Sequence, residues 1–180
     1  MLLVVDNGSI YTKNLIDYLN EKNISFEKHT PQLFHLDSLK NYNSIILSGR
    51  RKNEKKIKEI KSKIITYSIK NNTKLLGICY GAEILALTLG GTIRKTLSLQ
   101  KGNETIKIFK ENPISSDSLD IFESHGFEIS KLPSALVPLA ESKHCKYEII
   151  QYEKKLIFGT QFHPEMSQDG HDLIEKFCSL

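Results

Sequence analysis

Short apolar runs alternate with amphipathic segments over the first half of this chain. Leu2–Val5, Ser44–Leu47 and Lys74–Ile78 are rich in Leu, Ile and Val, which is typical of strands covered on both faces. Apolar residues recur at helical spacing between these runs, from Ile10 to Leu19 and across 53–70. Because such alternation favours parallel strands joined by crossover helices, we predict an α/β fold with a mostly parallel sheet and helices on both faces.

The remaining elements are predicted from shorter patterns. A strand is expected at Ile24–Glu27, a helix over Gly81–Leu89, and a last helix from about Gln168 to Phe177. Beyond Gly91 short β segments dominate, and the predicted ones are Thr105–Phe109, Leu119–Glu123, Ala135–Ala140, Tyr147–Gln151 and Leu156–Gly159. No repeat, low-complexity segment or linker divides the sequence, so we expect a single domain over residues 1–180.

The longest predicted helix, Asn53–Lys70, is also the most basic segment. Ile57, Ile60 and Ile64 form its apolar stripe, and lysines are expected to fill its other faces. We interpret those lysines as a solvated surface rather than as a ligand site.

Composition and charge exclude several functional classes. The 25 basic residues are offset by 21 acidic ones, and a net charge of +4 does not favour nucleic acid binding. The N-terminal apolar run ends at Asp6, and no other run approaches the length of a membrane span or signal peptide. Cys79, Cys145 and Cys178 fit neither a disulfide framework nor a metal site. We therefore expect a cytoplasmic protein without a metal that binds neither nucleic acid nor membrane.

The strongest local signal is the segment Gly77-Ile78-Cys79-Tyr80-Gly81, between a predicted strand and a predicted helix. Its spacing matches a nucleophile elbow, in which flanking glycines let the strand and helix pack closely around a strained turn. The helix N-terminus favours a thiolate and offers backbone N–H groups to an oxyanion. A structural cysteine buried at a strand end is the alternative, and the segment alone does not decide between the two.

A second signal, Gly159 to Glu165, directly follows a predicted strand and includes His163-Pro164-Glu165. A cysteine nucleophile needs a base, and the base needs an orienting acceptor. Since sites in α/β sheets form at the carboxyl ends of strands, we predict that His163 converges on Cys79 with Glu165 as the acceptor. Taken alone, a His-Pro-Glu segment is also typical of a surface turn.

Together these two segments resemble the class I, or triad-type, glutamine amidotransferases, in which a G-x-C-x-G elbow precedes a Q-F-H-P-E segment. Val4–Gly8 resembles that family's opening strand and turn, Ile46–Gly49 its oxyanion strand, and Glu123–Gly126 a glutamine-contacting loop. The resemblance covers nearly the whole chain and implies a flavodoxin-like, three-layer fold. Within the family it is greatest for the amidotransferase subunits of archaeal two-subunit GMP synthetases.

This resemblance implies a reaction and a partner. Cys79 would attack the side-chain amide of glutamine, His163 would transfer protons, and Glu165 would orient His163. Backbone N–H groups at Tyr80 and around Gly49 would hold the oxyanion. No cofactor is implied, and the ammonia would pass to an ATP-dependent synthetase on a separate chain.

The predicted substrate pocket departs from the family pattern. Arg50 and Arg51 stand where the family has Gly-Pro after Ser-Gly, and Glu83 replaces a glutamine. If the backbone at position 50 needs glycine, Arg50 costs about 1–2 kcal/mol or the loop takes another shape. Glu83 would repel a substrate carboxylate but attract its ammonium group.

The predicted substrate-contacting loop, Ser124-His125-Gly126, departs as well. It continues with Phe127 where the family has an acidic residue, and Glu128 follows one place later. Three functions therefore remain open: a glutaminase with a rearranged or partner-dependent pocket, a hydrolase or peptidase of another γ-glutamyl amide, and a catalytically weak regulatory paralogue.

Overall fold

The computed structural model describes residues 1–50 and 55–180, and their strands form one sheet. The strands are β1 (Leu2–Val5), β2 (Phe26–His29), β3 (Ser44–Leu47), β4 (Lys74–Ile78), β5 (Thr92–Ile108), β6 (Ser118–Lys131), β7 (Leu136–Glu141), β8 (Ile149–Tyr152) and β9 (Ile157–Thr160). The helices are α1 (Thr12–Glu21), α2 (Lys55–Asn71), α3 (Tyr80–Thr88) and α4 (Gln168–Ser179), with 3₁₀ turns at Leu36–Asn41 and Pro164–Met166.

The predicted α/β architecture is confirmed in the first half of the chain. Strands β2, β1, β3, β4 and β9 lie side by side and pair in parallel. Strands β1, β3 and β4 have the predicted bounds, because continuous apolar runs define them clearly. Strand β2 begins two residues later than predicted. The predicted start of the long helix, Asn53, lies outside the described residues, as does Arg51.

Two apolar layers hold the helices against the sheet. On one face, Val4, Ile46 and Leu76 pack with α1 and α4. On the other face, adjacent residues of the same strands, such as Val5 and Leu47, pack with α2 and α3. Successive side chains of a strand point to opposite faces, so a continuous apolar run supplies both layers.

The second half of the sheet differs most from the sequence prediction. Strands β8 and β7 are antiparallel to their neighbours, and β5 and β6 form a long antiparallel ribbon at the sheet edge. The predictions Thr105–Phe109 and Leu119–Glu123 were too short, since β5 and β6 are 17 and 14 residues long. Much of the ribbon is exposed, so hydrogen bonds between its two strands define it where apolar periodicity does not.

The parallel strands bring several chain segments to one edge of the sheet. Asn7 follows β1, Gly49 follows β3, Cys79 follows β4, and His163 follows β9. This edge therefore holds every segment from which the sequence predicts chemistry, apart from Glu123–Gly126, which was predicted as a loop but lies within strand β6. Among the described residues, no helix is both long and apolar enough to cross a membrane.

Candidate active site

Cys79 occupies a strained turn between β4 and α3. Its φ is 48°, a left-handed value that non-glycine residues rarely adopt. The Cys79 N–H donates to the carbonyl of Thr160 at 2.7 Å, and its own carbonyl accepts from the N–H of Glu83 at 3.0 Å. These bonds fix the turn between β9 and the first turn of α3, and they place the thiol at the N-terminus of that helix.

The glycines of the elbow are required by close packing rather than by flexibility. A Cβ at Gly77 would lie 2.6 Å from the carbonyl carbon of Gly81, and a Cβ at Gly81 would lie 2.5 Å from the Leu47 oxygen. A Cβ at Gly159, on β9, would lie 2.8 Å from Ala82. Strands β3, β4 and β9 therefore approach α3 more closely than any side chain would allow.

His163 lies against Cys79, and Glu165 holds the far side of its ring. The Nδ1 atom of His163 is 2.9 Å from Oε1 of Glu165, and both side chains are almost fully buried. Pro164 between them begins a short 3₁₀ turn that returns the carboxylate to the imidazole. The Nε2 side of the ring is thus left for the thiol, which is the arrangement of a nucleophile, a base and an orienting acid.

The three groups shift each other's protonation. Burial raises the pKa of the Cys79 thiol, and a hydrogen-bonding interaction with His163 partly offsets that rise. Burial also lowers the pKa of His163, but the hydrogen bonds and charges of Cys79 and Glu165 outweigh it and raise that pKa to about 10. The thiol and the imidazole are therefore coupled, and a proton that the thiol gives up is held firmly by the imidazole.

Gly49 places backbone directly beside the imidazole. A Cβ at this position would lie 2.9 Å from Cε1 of His163. Asn7 holds the segment in place, because its N–H donates to Oγ of Ser48 at 2.9 Å and its amide donates to the Ser48 carbonyl. The first N–H groups of α3 have no partner within the helix, so they and this segment are the candidate donors for an oxyanion.

Of the two outcomes expected at Arg50, backbone strain or another loop shape, the structure shows no positive φ and therefore no such strain. In the described part of the chain the non-glycine residues with positive φ are Asn23, Asn72, Cys79, Asp117 and Lys154. Arg50 instead forms an isolated antiparallel bridge with Gly8. The loop therefore accommodates an arginine with ordinary backbone angles, and the expected cost does not arise.

Arg50, Tyr80 and Glu83 form a charged wall next to the elbow. The guanidinium carbon of Arg50 lies 3.8 Å from the centre of the Tyr80 ring, and its Nη2 lies 3.8 Å from Oε2 of Glu83. The ammonium nitrogen of Lys61 lies 3.9 Å from the same ring centre. Burial raises the pKa of Glu83 to about 7, although the charge of Arg50 opposes that rise. The carboxyl group of Glu83 therefore changes its charge near neutral pH, and the net charge of the wall changes with it.

The ribbon residues Ser124, His125 and Gly126 are divided between two environments. Ser124 accepts a hydrogen bond from the Tyr11 hydroxyl at 3.1 Å, on the side of His163. His125 turns away, with Nδ1 2.9 Å from the carbonyl of Phe127 and Nε2 3.0 Å from Oε2 of Glu123. Gly126 is open, since a Cβ there would approach nothing closer than 4.0 Å. Glu128, the displaced acid, pairs with Arg94 at 2.7 Å.

Two residues of this region were missed from the sequence. The Tyr11 ring lies 4.5 Å from the His163 ring, and its hydroxyl ties it to Ser124. Gln161 is fully buried, donates to the Phe127 carbonyl at 3.3 Å and lowers the pKa of Glu83. Tyr11 comes after β1 and Gln161 directly follows β9. Their position after the carboxyl ends of parallel strands could have marked both as site residues.

The curated proteins similar to this chain include GMP synthases and a GMP synthase subunit. A glutamine-hydrolysing GMP synthase subunit from Methanocaldococcus jannaschii is 28% identical over 187 residues, covering 100% of this chain and 97% of that protein. The GMP synthase of Aliivibrio fischeri is 28% identical over 183 residues, which are 98% of this chain but 35% of that protein. This chain therefore spans about a third of the longer relatives.

Solved structures show the same fold. A Thermoplasma acidophilum protein described as a GMP synthase subunit superposes with a TM-score of 0.87 at 26% identity, covering 99% of this chain and 92% of the other. A glutamine amidotransferase of Thermotoga maritima, at 22% identity and a TM-score of 0.79, covers 97% and 80% and supports the fold alone.

The sequence pattern of the class I glutamine amidotransferases matches residues 3–179. Because that match spans nearly all of the sequence, this chain belongs to the class I glutamine amidotransferase family.

Proposed function

We propose that this protein hydrolyses glutamine to glutamate and ammonia through Cys79, His163 and Glu165, and that it supplies the ammonia to a GMP-forming synthetase on a separate chain. One observation carries the proposal. A cysteine with φ of 48° stands at the N-terminus of α3, against an imidazole whose Nδ1 is 2.9 Å from a buried carboxylate. That combination of strained turn, base and orienting acid serves nucleophilic acyl transfer.

The reaction uses each group in turn. His163 accepts the thiol proton, and the Cys79 sulfur forms a bond to the amide carbon of glutamine. The tetrahedral oxyanion accepts hydrogen bonds from backbone N–H groups at Tyr80 and around Gly49. His163 then donates the proton to the departing nitrogen, which leaves as ammonia. Water, activated by the same imidazole, cleaves the thioester to release glutamate and restore the thiol.

Two observations support the synthetase partner. The chain matches nearly the whole of a GMP synthase subunit in one relative and about a third of longer GMP synthases in others. The charged wall of Arg50 and Glu83 stands beside the site, and Arg50 lies on the connection from β3 to α2. A partner that contacts Arg50 would therefore also contact the wall of the substrate pocket.

Substitution of the nucleophile tests the catalytic proposal. Cys79→Ser is expected to abolish ammonia release from glutamine and to abolish the mass increase caused by an electrophilic glutamine analogue, because a buried serine is a far weaker nucleophile. Cys178→Ser is the matched control, since Cys178 is half-buried on α4 away from the elbow, and it is expected to retain both. Unchanged turnover in Cys79→Ser would remove the assignment.

The substrate and the partner are tested in one further assay. Ammonia release from glutamine is measured with the protein alone and with a candidate synthetase chain, and a rate increase of on the order of tenfold or more is expected with the synthetase. If glutamine is not cleaved under either condition while another γ-glutamyl compound is, the protein is a hydrolase of that other amide. Cleavage of neither would favour a regulatory protein.

A further inference from the structure

A small cavity lies between the β5–β6 ribbon and the connection from β7 to β8. Its free volume is about 10 Å³, which gives room for one particle the size of a water molecule. The residues that line it are Gln100, Glu104, Glu123, His125, Ser142, His144, Cys145 and Glu148. None of them belongs to the elbow or to the segment that carries His163.

Two buried carboxylates face this cavity. Glu148 is 0% exposed and Glu123 is 6% exposed. Within the described part of the chain, none of their four oxygens accepts a hydrogen bond of good geometry, although Oε2 of Glu123 lies 3.0 Å from the His125 ring, and Glu148 interacts with Glu123 and Ser142. Buried acceptors without hydrogen bonds are costly, so this pair requires a ligand or a proton.

Carboxylates outnumber histidines around this cavity, with Glu104, Glu123 and Glu148 against His125 and His144. The ring nitrogens of His125 lie 3.0 Å from Oε2 of Glu123 and 2.9 Å from the Phe127 carbonyl, and this arrangement favours the imidazolium form. Burial lowers the pKa of His125, but the adjacent Glu123 outweighs it and raises that pKa. With Glu123 and Glu148 ionised, the imidazolium balances one carboxylate, and a monovalent cation would balance the other.

The carboxylate oxygens need hydrogen-bond donors, and the number they need narrows the class of ligand. Carboxylate oxygens that lack hydrogen bonds converge on a space for one particle. A water molecule has too few hydrogens to satisfy them, whereas an ammonium ion donates through every hydrogen it carries. A metal ion is not favoured, because the described residues contain no group of three or more His, Cys, Asp or Glu that could hold one.

We propose that this cavity binds one small monovalent cation of the ammonium type, held by the carboxylates of Glu123 and Glu148. The inference stands on the cavity and does not require the glutaminase reaction, although that reaction would release the same species. The other titratable groups that face the site are Glu104 on β5, His125 on β6, and His144 and Cys145 on the β7–β8 connection. Burial raises the pKa of the Cys145 thiol, which therefore stays neutral.

Proton and cation compete for the same carboxylates. Burial raises the pKa of Glu148, and the negative charge of Glu123 raises it further. A cation can bind only when it displaces the proton from Glu148, so the apparent affinity for ammonium is expected to rise with pH. The rise should stop at the pH at which Glu148 is already ionised without the cation.

The test measures thermal unfolding of the full chain without glutamine. Ammonium chloride is titrated against tetramethylammonium chloride at constant ionic strength and pH 8, with parallel potassium and sodium series. Above the Kd, each tenfold rise in ammonium is expected to raise Tm by about 3–5 °C. Glu148→Gln and Glu123→Gln should abolish this response, whereas Glu141→Gln, an exposed residue on β7, should retain it.

Infrared spectroscopy provides an independent readout. In tetramethylammonium the wild-type protein should show the C=O band of a protonated buried carboxylic acid, which Glu148→Gln lacks and which ammonium removes. A band that persists in ammonium, together with an unchanged Tm, would show that the two carboxylates share only a proton and would overturn the proposal. An equal Tm response to potassium, or in Glu148→Gln, would also overturn it. Because glutamine is absent, failure of the glutaminase assay would not affect these outcomes.

Discussion

His163 is the residue whose protonation controls the candidate site. Its pKa of about 10 reflects burial, which lowers the value, and the stronger opposing effects of Cys79 and Glu165. When both groups are protonated the sulfur is an unreactive thiol, and loss of one proton from the pair leaves a thiolate beside an imidazolium. The thiol and imidazole therefore titrate as a pair, and their chemistry follows the loss of one shared proton.

Glu165→Gln is expected to shift the pH dependence of Cys79 reactivity towards lower pH. The carboxylate stabilises the imidazolium, so its removal lowers the His163 pKa, and the pair loses its proton at a lower pH. The measurement is the rate of alkylation of Cys79 by iodoacetamide between about pH 5 and pH 10, followed on the Cys79 peptide by mass spectrometry.

The wild-type midpoint is expected above 6.5, the ordinary value for imidazole. Glu175→Gln serves as the control, because Glu175 is an exposed acid on α4 that pairs with Lys22. A Glu165→Gln midpoint equal to or above that of the wild type would contradict the assigned role of the carboxylate.

At the scale of elements, the site depends on how closely three strands approach α3. Gly77, Gly81 and Gly159 each lie within contact distance of neighbouring backbone or Ala82, so side chains are excluded there. The positive φ of Cys79 is maintained by its bonds to β9 and to the first turn of α3. The strain at the nucleophile is therefore supported by packing on both sides of the turn.

Gly81→Ala is expected to destabilise the protein by about 1–3 kcal/mol, despite the better helix propensity of alanine. The added Cβ would lie 2.5 Å from the backbone oxygen of Leu47, so β3 and α3 must separate. Urea denaturation measures the free energy of unfolding, and ammonia release measures the effect on the elbow.

Gly126→Ala is the matched control for this substitution. Its Cβ would approach nothing closer than 4.0 Å, so the free energy of unfolding should change by about 0.5 kcal/mol or less. Equal losses in Gly81→Ala and Gly126→Ala would show that close packing of the elbow is not the reason for its glycine.

At the scale of the whole molecule, stability includes the burial of an amine. Lys61 on α2 is fully buried, and its Nζ atom has no hydrogen-bond partner within the described residues. Burial lowers its pKa to about 6, and the nearby charge of Arg50 lowers it as well. The sequence prediction placed the lysines of this helix on solvated faces, and for Lys61 that prediction was wrong.

Lys61→Met is expected to raise the free energy of unfolding by about 1–3 kcal/mol at pH 7. Between pH 6 and about pH 10.5 the unfolded chain binds a proton at Lys61 that the folded chain does not, so wild-type stability at this site rises with pH. The gain from Met should therefore shrink as pH approaches 10.5. The measurement is urea denaturation at several pH values.

Lys63→Met, on the same helix, is the control. Lys63 is 54% exposed and pairs with Glu59, so its removal should change stability by no more than a few tenths of a kcal/mol, with little pH dependence. A gain from Lys61→Met that is constant across the pH range would contradict a buried neutral amine.

The sequence by itself determined the parallel half of the sheet and the identity of the candidate nucleophile, base and orienting acid. Strands β1, β3 and β4 were predictable because their apolar runs supply both faces of a buried sheet. The convergence of Cys79, His163 and Glu165 was predictable because they follow neighbouring strands, and carboxyl ends of parallel strands meet at one edge, whereas their catalytic roles stay a prediction.

Only the tertiary structure decided the length of the β5–β6 ribbon, the burial of Lys61 and the meeting of Glu123 with Glu148. The ribbon is held by hydrogen bonds between strands, which leave no apolar period in the sequence. The fate of a lysine or glutamate depends on what packs over it, and those neighbours come from distant parts of the chain. Local pattern fixes elements and their order, whereas burial of charge is a property of the assembled molecule.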